Sequence, residues 1–150
     1  NLDKQTLMKM RKAGCIRLIY GLETASQRLL NYIDKRLDIK KMEDILRWTH
    51  EAGIWCGVEF IAGLPHEKPE DINQSLGFIE RNKEYVDRVY CNPFGLRDGS
   101  RLVFNPEKFG VCNIKEIHEL GKDRNNDYAR AYNKYSFDEI NGLRWEEKKK

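Results

Sequence analysis

Two glutamates stand where apolar runs give out, and each needs a chemical reason. Glu23 follows the run at residues 15–20 and shares parity with Ile19 and Gly21. Side chains alternate along a strand, so these three point to one face. A carboxylate there can accept two hydrogen bonds from a ribose diol or pair with a ligand ammonium. It can equally be the acidic start of a following helix, complementing the macrodipole. Glu59 interrupts a second apolar run in phase with Gly57 and Ile61. A buried, unpaired carboxylate is costly, so it needs a partner, a wet cavity or an outward orientation. Lys35 and Arg36 follow a short helical stretch and can either reach a ligand carboxylate or remain solvated. His50, His66 and His118 have no mutual ligand spacing, and no nucleophile–base pair, phosphate loop or paired-glycine fingerprint is present.

The elements that would carry these groups alternate. Asp3 caps a helix containing Leu7, Met8 and Met10, which ends at Ala13-Gly14. Residues 15–20 read as a strand, leaving through Gly21-Leu22. Thr24 or Ser26 caps a short helix through Leu29, Leu30 and Ile33. Asp38 starts another, with Met42, Ile45, Leu46 and Thr49 at helical spacing, ending at Ala52-Gly53. Residues 54–61 form the next strand, leaving through Gly63-Leu64-Pro65. Pro69 opens a helix along Ile72, Leu76 and Ile79. Residues 85–90 form a third strand, leading into Cys91-Asn92-Pro93-Phe94-Gly95.

Helix, Ala-Gly, strand, Gly-Leu: the motif occurs twice, and short links of this kind give a parallel sheet with right-handed crossovers. Three strands cannot close a barrel, so the architecture reads as cut. In such folds ligands bind beyond the C-terminal strand ends. That rule selects residues 21–26, 59–67 and 91–95, whose glycines let backbone approach a ligand. Beyond Gly99 the pattern weakens: residues 114–120 read as a short helix or strand, residues 123–133 are very polar, and Leu143 and Trp145 are candidates to pack back onto the body.

Bulk properties narrow the remaining classes. The net charge of +3 comes from 27 basic and 24 acidic residues that are interleaved, which gives no clear nucleic-acid signal. No run approaches the roughly 20 apolar residues of a membrane helix. Cys15, Cys56, Cys91 and Cys112 are too far apart in sequence for a metal or cluster motif. The first three lie in or beside apolar runs and read as buried, reduced thiols, which points to the cytoplasm.

Met10-Arg11-Lys12-Ala13-Gly14-Cys15, Tyr20-Gly21-Leu22-Glu23-Thr24 and Ile33-Asp34-Lys35-Arg36, followed by Glu51-Ala52-Gly53-Ile54, Phe60-Ile61-Ala62-Gly63-Leu64-Pro65-His66-Glu67 and Pro69-Glu70-Asp71, resemble a radical S-adenosylmethionine (SAM) domain over about residues 4–110. The flavour is that of the branch often joined to a cobalamin-binding domain, acting in methylation or ring formation. The resemblance implies an α/β fold, with parallel βα units forming part of an incomplete TIM-like (β/α)6 barrel over residues 1–110 and an irregular extension over 111–150. It implies SAM and a [4Fe–4S] cluster as cofactors, with cobalamin as a further cofactor in the full-length protein.

By the same resemblance Glu23 contacts the SAM ribose or methionine end, and Glu59 matches an acid that binds the ribose in some relatives. Lys35 or Arg36 approaches the methionine carboxylate. The stretch 60–63 and the backbone around Asn92 to Phe94 flank the adenine. Gly21, Thr24, Ile61, Gly63 and Pro65 complete the cofactor-binding set; no catalytic residue is assigned and no metal ligand is expected. The family's Cys-x3-Cys-x2-Cys motif is absent, so the chain is expected to be a fragment whose missing N-terminal barrel half is its partner, inactive alone. The alternatives are a SAM-binding or scaffold remnant without catalysis, or an unrelated barrel enzyme using Glu23 and Glu59 as acid and base.

Overall fold

A computed structural model of the chain describes residues 2–117 and 134–148. The order begins with α1 (Lys4–Lys12), β1 (Arg17–Glu23), α2 (Gln27–Tyr32), α3 (Ile39–Glu51), β2 (Trp55–Ala62), α4 (Pro69–Asn82) and β3 (Arg88–Pro93). It continues through α5 (Arg101–Phe104), a 3-10 turn (Glu107–Phe109), β4 (Val111–Glu116), β5 (Tyr135–Glu139) and a last helical turn, Trp145–Lys148. Two compact units result. One comprises residues 1–61 and 68–92, the other 62–67 and 93–150. The boundary expected at residue 110 falls inside the second unit.

In the first unit β1, β2 and β3 lie side by side in that order, and β1 runs parallel to β2 with Ile19 opposite Gly57. α1 and α3 hand over to their strands by the same device. Cys15 N–H bonds Met10 O at 2.9 Å and Gly14 N–H bonds Arg11 O at 3.0 Å, with Gly14 at φ +98°. Ile54 and Gly53 repeat these bonds to Thr49 and His50, with Gly53 at φ +70°. Both are Schellman endings, in which a left-handed residue lets two amides satisfy the last helical carbonyls. The Ala-Gly pairs therefore do what the sequence suggested.

The strands themselves are displaced toward the C-terminus. Residues 13–15 are consumed by the helix ending, so β1 starts at Arg17 and runs through Gly21 and Leu22 to Glu23. Tyr85 N–H is likewise held by Asn82 O at 2.9 Å, and β3 begins only at Arg88.

One sheet face carries the core. Leu22, Cys56, Val58 and Phe60 pack with Met42 and Leu46 of α3 and Phe78 of α4. Leu7, Ala52 and Ile54 form a smaller cluster with Leu18 and Trp48. The alternate residues Ile19, Gly57, Glu59 and Tyr90 belong to neither cluster, and Ile19 is 44% exposed.

The second unit has its own core of Leu96, Val111 and Phe137. Here β4 and β5 pair antiparallel, so residues 111–116 are a strand; residues 118–133, including His118, lie outside the described residues. Trp145 packs on Phe137 with ring centroids 5.9 Å apart, whereas Leu143 is half exposed. Of the four cysteines only Cys56 is buried; Cys15 and Cys112 are half-buried and Cys91 is exposed, contrary to expectation for Cys15 and Cys91. Burial pushes the Cys56 thiol up to about 12, so it stays protonated at neutral pH.

Candidate functional site

The C-terminal end of β1 is irregular where chemistry was expected. Gly21 pairs with Glu59, but Glu23 pairs with Phe60, so Leu22 is an extra residue and the strand bulges. Glu23 takes φ +69° as a consequence. Such a conformation costs a non-glycine residue on the order of 1 kcal/mol or more and survives only when its surroundings fix it. The bulge also breaks the simple alternation that assigned Glu23 to one face with Ile19 and Gly21.

Lys35 does the fixing. Its Nζ donates to Glu23 Oε1 at 2.6 Å, with the two side chains 33% and 20% exposed. Lys35 reaches that place because α2 closes with a third Schellman turn. Lys35 N–H bonds Leu30 O at 2.9 Å and Asp34 N–H bonds Asn31 O at 3.2 Å, with Asp34 rather than glycine at φ +55°. Arg36 also has a positive φ, of 49°, but its guanidinium turns to Asp34 at 3.1 Å and its side chain is exposed. The structure thus separates the two cations: Lys35 joins Glu23 and Arg36 does not.

Gly21 is the floor beneath the pair. A Cβ there would lie 2.9 Å from Glu23 Oε1 and 3.5 Å from Lys35 Nζ. Glu59 sits opposite Gly21 in register and alternates with the buried Cys56, Val58 and Phe60, which directs it to the open face. Ile61 follows it by two residues. Asn92 follows by two residues Tyr90, whose ring borders Gly57 on that same face. Gly21, Glu59, Ile61 and Asn92 therefore share one face at the C-terminal ends of three adjacent strands.

Thr24 is placed differently. It is buried, and its hydroxyl accepts from Ser26 N–H at 3.1 Å and meets Ser75 Oγ at 3.4 Å. Ser26, not Thr24, caps α2, and its hydroxyl donates to Asp71 at 2.5 Å. Asp71 also binds the Arg28 guanidinium and the Lys68 N–H. Burial pushes its carboxyl up, but the Arg28, Ser26 and Lys68 hydrogen bonds together outweigh this and hold it below the usual aspartate value. This network anchors the segment after Glu23 to the start of α4. Pro69-Glu70-Asp71 announced the helix start, but nothing near Arg28 or Ser75 announced their part in it.

Gly63 and Pro65 belong to the second unit. Gly63, at φ +81°, donates its N–H to the Glu67 carboxylate at 2.7 Å, and Pro65 is buried.

An open glycine floor, a carboxylate suited to a diol and a cation suited to a carboxylate match the two ends of an amino-acid nucleoside such as SAM. A cluster is different: among the described residues no three His, Cys, Asp or Glu side chains are grouped to hold a metal ion. Nor is any helix among them long and apolar enough to cross a membrane.

Comparison with known proteins bears on the family of the chain. The chain is similar to an uncharacterized methyltransferase of Pyrococcus horikoshii, 27% identical over 101 residues, or 67% of this chain and 21% of that protein. It is 32% identical over 73 residues to the anaerobic magnesium-protoporphyrin IX monomethyl ester cyclase of Cereibacter sphaeroides, covering 49% of this chain and 12% of that one. The chain thus spans about a fifth or less of the length of these curated relatives. Among solved structures, coproporphyrinogen III oxidase of Escherichia coli, described as a radical SAM enzyme, matches with a TM-score of 0.56 and 18% identity over 75% of this chain and 31% of that one, a likeness of fold. That likeness supports parallel βα units from part of a radical SAM barrel. The family model of the radical SAM superfamily matches residues 1–79, more than half of the 150. The chain belongs to the radical SAM superfamily.

Proposed function

We propose that this chain supplies part of the SAM pocket of a radical SAM enzyme. The reading is carried by Glu23 and Lys35, held 2.6 Å apart above Gly21 at the end of a parallel strand. When bound beside its [4Fe–4S] cluster, SAM supplies a 5′-deoxyadenosyl radical for substrate chemistry. Glu23 accepts hydrogen bonds from the ribose hydroxyls, and Lys35 pairs with the methionine carboxylate. Their mutual ion pair keeps both charges compensated until the ligand arrives. Glu59 and Asn92 offer further polar contacts from the same sheet face.

In this reading the cluster ligands lie on a segment preceding residue 1, and the chain alone does not cleave SAM. Methyl transfer and ring formation are the reaction classes that the relatives' names suggest; cobalamin would serve the former in the full-length protein. The cytoplasm is the expected compartment. A SAM-binding remnant without catalysis is the alternative.

Glu23→Ala tests the assignment directly. Losing one charge-assisted contact set, worth roughly 1.5–3 kcal/mol, should weaken SAM binding by about tenfold to a hundredfold without unfolding the protein. Isothermal titration with SAM measures it, and an unchanged affinity would remove Glu23 from the site. In the protein that also carries the cluster motif, 5′-deoxyadenosine formation separates the enzyme from the remnant.

A further inference from the structure

Asn141-Gly142 is the single Asn-Gly pair in the sequence, and it stands at the tip of a tight turn within the second unit. Glu139, the last residue of β5, closes that turn. Its N–H bonds Leu143 O at 3.1 Å, and its carboxylate accepts Leu143 N–H at 3.3 Å. The residues between them are exposed. Among the described residues neither the Asn141 side chain nor the Gly142 N–H has a hydrogen-bond partner, so both are left to water.

A free amide therefore follows a free carboxamide, and Gly142 carries no side chain to shield its nitrogen. Other asparagines lack this combination. Asn92 and Asn105 precede prolines, which have no N–H. Asn82 is buried, and its side-chain amide donates to Phe78 O at 2.8 Å. Asn113 donates to the Asp138 carboxylate at 2.9 Å and is followed by the stiff, β-branched Ile114.

We infer that Asn141 is a site of spontaneous covalent modification, through which the second unit acquires an isoaspartyl linkage. Base removes the Gly142 amide proton, and the nitrogen attacks Asn141 Cγ. The new C–N bond closes a succinimide ring as the Cγ–Nδ2 bond breaks, and ammonia leaves with a proton from water. Water then opens the ring at either carbonyl. One cleavage gives aspartate; the other breaks the original peptide link, so that the main chain runs through the side-chain carbons of residue 141. No oxidant or reductant takes part.

The surroundings make this change destabilising. Both products place a new carboxylate in the turn that Glu139 closes, and the Glu139 side chain is only 6% exposed. That carboxylate lies so close to Gly142 that an added Cβ would collide with it. The isoaspartyl form also lengthens the main chain by a methylene between Glu139 and Leu143. Just beyond, Trp145 N–H bonds Asp138 at 2.9 Å and its ring packs on Phe137, so loosening the turn reaches the core of the unit.

The test incubates the folded protein carrying this chain in mildly alkaline buffer and reads residue 141 by peptide mass spectrometry. Asparagine at 141 should be lost progressively, with the mass gain of an amide becoming an acid and two chromatographically distinct products. The loss should speed up with hydroxide concentration while Asn113 stays intact, and Asn141→Gln, which would have to close a larger ring, should stay unchanged. Conversion in urea-unfolded protein but not in the folded one would overturn the inference, because the native turn would then hold Gly142 N away from Cγ. Equal conversion at Asn113 would overturn it as well. Urea midpoints separate the two effects on stability: Asn141→Asp adds only the charge, and the isoaspartyl protein should unfold at a still lower midpoint. A midpoint equal to that of the unmodified protein would overturn the link to stability.

Discussion

Glu23 and Lys35 show what a residue-level reading can and cannot reach. Their types mark both as ligand-binding candidates in the sequence, Glu23 at a strand end and Lys35 after a short helix. Their pairing depends on two left-handed residues, Glu23 and Asp34, neither of which is the glycine that would have flagged the turn. Asp71 is the residue whose charge is most tied to the fold. Hydrogen bonds hold its folded value below the ordinary 3.8, so its stabilisation is complete above that value and is lost as pH falls through the lower, folded one. Asp71→Asn should cost roughly 1.5–3 kcal/mol at neutral pH, the range for hydrogen bonds to a charged group. Thermal melts should show the gap between the two proteins closing as pH falls below the ordinary 3.8 and through the lower, folded value, where the wild-type carboxylate is itself protonated. A gap that persists undiminished in acid would mean that the charge is not what holds Ser26 and Arg28.

Helix ends were legible and strand starts were not, for one physical reason. A Schellman turn has a sequence signature, Ala-Gly, because only glycine enters the left-handed region freely. A strand has no comparable start signal, so Cys15, spent on the turn after α1, reads as strand and β1 is expected too early; β3 is expected too early because Tyr85 is held by the end of α4, which carries no Ala-Gly. The bulge at Leu22 was invisible for a related reason: alternation holds only while the register does. Gly57 is the element-scale test. A Cβ there would sit 3.0 Å from Trp55 Cζ3 and 3.2 Å from both Ile19 Cγ1 and Tyr90 Cε2. Valine gains up to about 1 kcal/mol in strand propensity but overpacks by roughly 1–3 kcal/mol against two aromatic rings, so Gly57→Val should destabilise. Urea denaturation should give a lower midpoint at unchanged slope. A midpoint equal to wild type would mean that the rings move aside at no cost.

At the scale of the whole chain, the parallel βα character was readable because the alternation of elements is short-range. The second unit was not. Its core joins Leu96, Val111 and Phe137 across long sequence separations, and its hairpin strands lie 18 residues apart, with nothing in composition to pair them. Its division from the first unit is also discontinuous, because residues 62–67 interrupt the first unit and belong with residues 93–150. This has a consequence for genetic recombination. An exchange between related genes at residue 93 leaves β1, β2, β3 and α1–α4 intact but gives the 62–67 segment a foreign hairpin. Ala62 O and the His66 ring then have to be matched by a partner that did not evolve with them. A chain ending at Asn92 should accordingly retain the parallel sheet, while limited proteolysis finds its first cut between residues 62 and 67. Survival of that segment would show that it stands without its hairpin. If it is cut, 62–67 and 93–150 are inherited together or not at all.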